Sequence, residues 1–110
     1  MEPAVKSPVM LFTEDTPNPE ALKYVTNRML YRGLAEFKEK ELAAEWSPMA
    51  YGLMELPYVK SVYFKDNFVT ITKELNYDWA DIKLRLKEYI KEYIEKGGDV
   101  VKDGFTAYME

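Results

Sequence analysis

Carboxylates are the most numerous groups able to do chemistry in this 110-residue sequence, which holds 19 Asp and Glu and neither Cys nor His. Paired acids can hold Mg²⁺ or Ca²⁺, or cleave glycosides. Here Glu39, Glu41, Glu45 and Glu55 are scattered along an expected surface, and Glu14-Asp15 stands beside a turn. Acids placed this way read as solvated charges and caps. The missing residue types exclude more. Without Cys there is no thiolate nucleophile, no disulfide framework, no zinc–thiolate site and no cysteine-held iron–sulfur cluster. Without His there is no imidazole base and no His-held metal. Ser47 therefore has no His partner, and the five glycines (Gly33, Gly52, Gly97, Gly98 and Gly104) form no nucleotide-binding pattern. These residues point away from an enzyme and toward a chain without catalytic, cofactor-binding or metal residues of its own, working by contact.

Two groups of residues are candidates for that contact. The first is the segment Thr13 to Pro19, with Asp15, Thr16, Pro17, Asn18 and Pro19 as its candidate residues. Two prolines two residues apart cannot continue a ladder or a helix, and Asp15 and Asn18 are natural turn formers. The segment reads first as a rigid turn between strands and second as a preorganised binding loop. The other group is Trp46, Ser47, Pro48 and Tyr51. Trp46 and Tyr51, with Tyr58 and Tyr63, would form a contact patch if exposed together, because Tyr and Trp are enriched at interfaces.

The elements that must position these residues follow from pattern. Val9 to Phe12 is a short apolar run and reads as a buried strand. Ala21 to Thr26 alternates and is rich in β-branched and aromatic residues, as a strand requires. Met29 to Phe37 is a third strand, in which Gly33 marks a bulge or a close approach. Residues 38–46 combine high helix propensity with few apolar anchors, fitting either a short helix or an exposed connection. Ser47-Pro48 is a helix start, Ser as N-cap and Pro at the first turn, with Ala50, Leu53, Met54 and Leu56 as its apolar face. Gly52 weakens that helix or admits a close neighbour. Val59 to Phe64 and Phe68 to Thr72 flank Lys65-Asp66-Asn67 and predict a hairpin, with Val62 and Phe64 opposite Val69 and Ile71, and Tyr63 and Thr70 on the other face. Asp78 opens a long helix as its cap. Trp79, Ile82, Leu86, Tyr89, Ile90, Tyr93 and Ile94 recur at steps of three and four along it, and Gly97-Gly98 ends it. Residues 99–110 show no period and read as a tail or inter-domain linker.

The expected fold is α+β, in two layers. A mostly antiparallel sheet of about five strands carries a short and a long helix on one face, in the order βββαββα. Residues 1–8 form a lead-in and residues 9–98 the domain. A formal net charge of −4 disfavours a nucleic-acid partner and attraction to anionic lipid. No apolar run is long enough to span a bilayer. The first residues lack the basic start and apolar centre of a signal peptide, so the expected compartment is cytoplasmic.

Four ordered motifs carry a family resemblance. Thr13-Glu14-Asp15-Thr16-Pro17-Asn18-Pro19 with Leu22-Lys23-Tyr24 resembles the opening signature of the Nfu/NifU-like N-terminal domain. Ser47-Pro48-Met49-Ala50 with Leu53 is similar to that family's Ser-Pro-Leu-Ala segment, Met49 standing where Leu is frequent. The hairpin from Val59 to Lys73 and the Asp78-Trp79 helix start match as well. Together they cover about residues 11 to 97. The resemblance implies an accessory domain of an iron–sulfur scaffold or carrier, acting through contacts with assembly or client proteins. It also implies a separate Cys-x-x-Cys domain that holds the cluster, following in cis after a linker. No ligand can be carried over, because this chain has no Cys. The competing reading is a stand-alone protein-interaction module unrelated to iron–sulfur traffic.

Overall fold

Alternation along five short segments dictates the sheet that a computed structural model of the chain displays; the structure describes residues 8–106. The strands are β1 (Leu11–Asp15), β2 (Ala21–Thr26), β3 (Tyr31–Phe37), β4 (Val59–Asp66) and β5 (Phe68–Lys73). The helices are α1 (Lys40–Trp46), α2 (Pro48–Met54) and α3 (Trp79–Lys96). All pairings are antiparallel, and the sheet order is β1-β2-β5-β4-β3. The α+β architecture and the order of strands and helices are as expected, with residues 40–46 resolving as an additional short helix.

One sheet face is buried. Leu22, Tyr24, Ala35, Phe37, Val62, Phe64, Val69 and Ile71 line it, and Ile82, Leu86 and Ile90 of α3 pack on the same core. Each large side chain removed from water contributes roughly 1.5–3 kcal/mol before entropy. The hairpin register pairs Val62 with Ile71, Tyr63 with Thr70 and Phe64 with Val69, as the alternation predicts. Its turn puts Asp66 at φ 51, a left-handed conformation that Asp tolerates. Gly33 sits at φ 107, where the β3–β4 register shifts between Tyr31 and Leu34. A bulge there explains the glycine. Gly52 faces the Tyr89 hydroxyl so closely that a Cβ would stand 1.9 Å from it, which accounts for a glycine inside α2.

Two expectations need correction. β1 begins at Leu11 and runs to Asp15 instead of ending at Phe12, because the ladder to β2 persists to the Asp15–Leu22 pair. The Asp78 side chain makes no capping bond; only its carbonyl is used, accepting from Asp81 N–H at 3.0 Å. In the stretch read as a tail or linker, Val100, Val101 and Phe105 pack on the core, although the apolar periodicity stops at Gly97. Phe105 is 2% exposed and lies against Phe37 and Trp46. The Val100 carbonyl accepts from Ser47 Oγ, and Lys102 N–H donates to the Trp46 carbonyl at 2.7 Å. Through Phe105 this segment packs on Phe37 of β3.

Tyr24 gives the fold a pH dependence. Its hydroxyl donates to the Lys83 carbonyl at 2.9 Å, and burial, followed by Tyr58 nearby, pushes it well above the usual tyrosine range. A raised folded-state value favours the neutral phenol. Its contribution is complete below the unfolded value of about 10 and is lost as pH rises above it. Tyr24→Phe should cost about 1 kcal/mol at neutral pH through the lost hydrogen bond. The deficit in urea midpoint should shrink above about pH 10 and then reverse in strong alkali, because the variant has no buried phenol to ionise. A constant difference across that range would contradict the assignment.

Candidate functional site

Hydrogen bonds inside the β1–β2 turn make it rigid. Thr16 Oγ1 donates toward the Asn18 carbonyl at 2.8 Å and the Ala21 carbonyl at 3.0 Å, and accepts from Asn18 N–H at 3.2 Å. Asn18 Oδ1 accepts from Glu20 N–H at 2.9 Å, and the Asn18 carbonyl from Ala21 N–H at 3.0 Å. The short polar side chains thus replace the backbone partners that Pro17 and Pro19 cannot supply. Trp79, at the start of α3, fastens the turn from the other side: its indole N–H donates to the Pro19 carbonyl at 3.0 Å. A cleft of about 260 Å³ lies between turn and helix, with Asp15, Thr16, Asn18 and Pro19 on one wall and Trp79 and Lys83 on the other.

Beneath the turn lies an ion pair. Lys73 Nζ donates to Glu20 Oε1 at 2.9 Å; the lysine side chain is 8% exposed and the glutamate 31%. The ammonium stands 6.0 Å from the Trp79 ring centroid. Glu20, Lys73 and Trp79 therefore set the turn's position. Pattern analysis does not identify the pair, because Glu20 in the turn before β2 and Lys73 at the end of β5 are 53 positions apart. Trp79 is expected on the apolar face of the long helix, and its bond to the Pro19 carbonyl has no signal in that periodicity.

The two expected groups do not converge. Asp15, Pro17, Asn18 and Pro19 are exposed and Thr16 half-buried at the β1 edge of the sheet. Trp46, Ser47, Pro48 and Tyr51 lie at the α1–α2 junction, and α1 packs on β3, the opposite edge. Ser47 is fully buried. Its N–H ends α1 on the Ala43 carbonyl at 2.8 Å, and its hydroxyl accepts from Ala50 N–H at 3.0 Å. Ser47 therefore shapes the junction instead of presenting a surface. Trp46 is half-buried against Phe105, and of this group only Tyr51 is exposed. Tyr63 stacks on Phe68 across the open sheet face, apart from Trp46 and Tyr51. A larger hollow of about 420 Å³ beside Leu34, Leu42 and Phe105 is lined by none of the expected residues. Among the described residues no group of three or more acids could hold a metal ion, and the turn cleft contains a single carboxylate, Asp15.

Comparison with known proteins agrees with this layout. The family model for the N-terminal region of the scaffold protein Nfu/NifU matches residues 11–97. The "NFU1 iron-sulfur cluster scaffold homolog, mitochondrial" of Drosophila willistoni is 34% identical over 93 residues, covering 84% of this chain and 32% of the relative. That of Drosophila grimshawi is 35% identical over 86 residues, covering 77% and 29%. The chain thus spans about a third of the length of the curated relatives it matches. The solution NMR structure of a NifU-like protein from Saccharomyces cerevisiae superposes with a TM-score of 0.76 at 25% identity, over 94% of both chains.

Proposed function

Because the chain belongs to the Nfu/NifU scaffold N-terminal family, we propose that it is a non-catalytic accessory domain of an iron–sulfur scaffold or carrier. It binds assembly or client proteins and leaves cluster ligation to a separate Cys-x-x-Cys domain. The observation that carries this reading is the rigid β1–β2 turn with its Trp79 cleft, inside a family-matched segment that contains no Cys. A turn whose polar groups are already satisfied loses little entropy on binding, which suits a recognition surface. Thiolates are the ordinary iron–sulfur ligands, and none is available here.

Binding of the chain to a purified cysteine desulfurase, scaffold and apo-client tests the contact role. At least one should bind, and Trp79→Ala should weaken that binding by releasing the turn. Binding to none of them would remove the reading. Anaerobic incubation with iron and sulfide should leave the chain without a bound cluster. The curated relatives are named mitochondrial; cytoplasmic residence of this chain is a separate proposal, tested by cell fractionation.

A further inference from the structure

We propose that the free edge of β1, with the α3 groove beside it, accepts an extended acidic segment of a partner protein as a sixth strand. The inference rests on the contact role above and names the chemistry of the partner.

The two sheet edges differ. β3 is broken by the Gly33 bulge and flanked by α1, which is how proteins blunt an edge against pairing. β1 has the sequence Leu-Phe-Thr-Glu-Asp, with no Pro, Gly or Lys, and its five-residue register to β2 is unbroken. Among the described residues no strand pairs with its other side. Such an edge offers a row of backbone donors and acceptors to an extended peptide.

The groove beside it supplies charge and an apolar seat. Thr13 of β1 faces Ala80, Lys83, Leu84 and Lys87 of α3 across a hollow of about 240 Å³. These four helix positions form one stripe at i, i+3, i+4 and i+7, separate from the core stripe of Ile82, Leu86 and Ile90. Leu84 is 65% exposed. Neither lysine side chain forms an ion pair among the described residues, whereas Lys91 on the same helix pairs with Glu95. In a chain of net charge −4, the groove beside this strand edge has Lys83 and Lys87 as its charged lining. One helical turn separates them, about 6 Å of rise. Side chains on one face of a strand recur at about 6.8 Å. Two acidic residues at alternate positions of the added strand therefore match the lysines, with an apolar neighbour on Leu84. Asp15 lines the turn cleft together with Lys83 and not with Lys87, so it offsets the attraction for acid at Lys83 and leaves Lys87 as the stronger seat.

The probe is a short capped peptide alternating valine and glutamate, added to the isotopically labelled chain. Amide shifts should move at Phe12, Thr13 and Glu14 and along residues 80–87. Affinity should fall with salt, and by roughly tenfold in K83E/K87E, since each exposed ion pair and its reversal changes binding a few fold. K91E should bind as wild type does, and the peptide with lysine in place of glutamate should not bind. Absence of binding, shifts confined to Tyr63 and Thr70 on the open sheet face, or equal affinity of K83E/K87E would overturn the proposal. If both forms capture a purified assembly protein equally, this inference falls while the contact role stands. If wild type captures none of them, the contact role falls.

Discussion

Phe105→Ala should destabilise the domain by about 3–5 kcal/mol, the usual cost of deleting a buried aromatic side chain. That is a large part of the roughly 5–15 kcal/mol that holds a domain folded. The ring is 2% exposed, with its centroid 5.0 Å from Phe37 and 5.6 Å from Trp46. Its loss opens a cavity between Phe37 of β3 and Trp46 of α1. Phe105→Leu, which keeps most of the volume, should cost less than about 1.5 kcal/mol. Truncation after Gly98 should cost at least as much as the alanine, because it also removes the Val100 carbonyl from Ser47 and the Lys102 N–H from Trp46. Urea denaturation of the three variants measures this. An alanine variant within 1 kcal/mol of wild type would mean that residues 99–106 do not belong to the core.

The Phe105 result marks where pattern analysis stops. α3 is legible because its apolar residues recur over 18 positions and Gly97, at φ 75, ends it. The hairpin is legible because alternation on both arms admits one register. Ser47-Pro48 is legible because capping is local, and the expected hydroxyl bond to Ala50 N–H is present. Phe105 has no such context. It is a single aromatic between charged and small residues, and its partners Phe37 and Trp46 are distant in sequence. The β1–β2 turn is legible as a turn, since its bonds join near neighbours. The cleft is not, since Trp79 reaches Pro19 across 60 positions. Asp78 is a reminder that a favoured cap residue need not use its side chain.

Glu20→Ala should cost about 2–3 kcal/mol and Lys73→Met less than about 1 kcal/mol, although both break the same ion pair. The asymmetry follows from burial. The Lys73 side chain is 8% exposed and that of Glu20 31%. Removing the carboxylate leaves a buried ammonium with the Glu74 carbonyl at 3.4 Å as its remaining acceptor. Removing the ammonium leaves a carboxylate that water can reach, while methionine keeps the packing beside Trp79. The full 3–5 kcal/mol of a completely buried pair is an upper bound, because Glu20 is partly hydrated. The double variant should lie near Lys73→Met, since the glutamate has little to do once the ammonium is gone. Equal costs for the two single variants would contradict this account. The Glu20→Ala variant should also loosen the turn, because Glu20 adjoins Pro19 and the Lys73 N–H donates to the Glu20 carbonyl at 2.9 Å.

The central claim is that these residues act by contact and leave the cluster to another domain. Its most direct test is the rate of cluster transfer to an apo-client from a Cys-x-x-Cys carrier, with this domain attached and with it removed. The account predicts that removal slows transfer while the cluster content of the carrier stays the same. Loss of cluster from the carrier on removal, or an unchanged transfer rate, would contradict it.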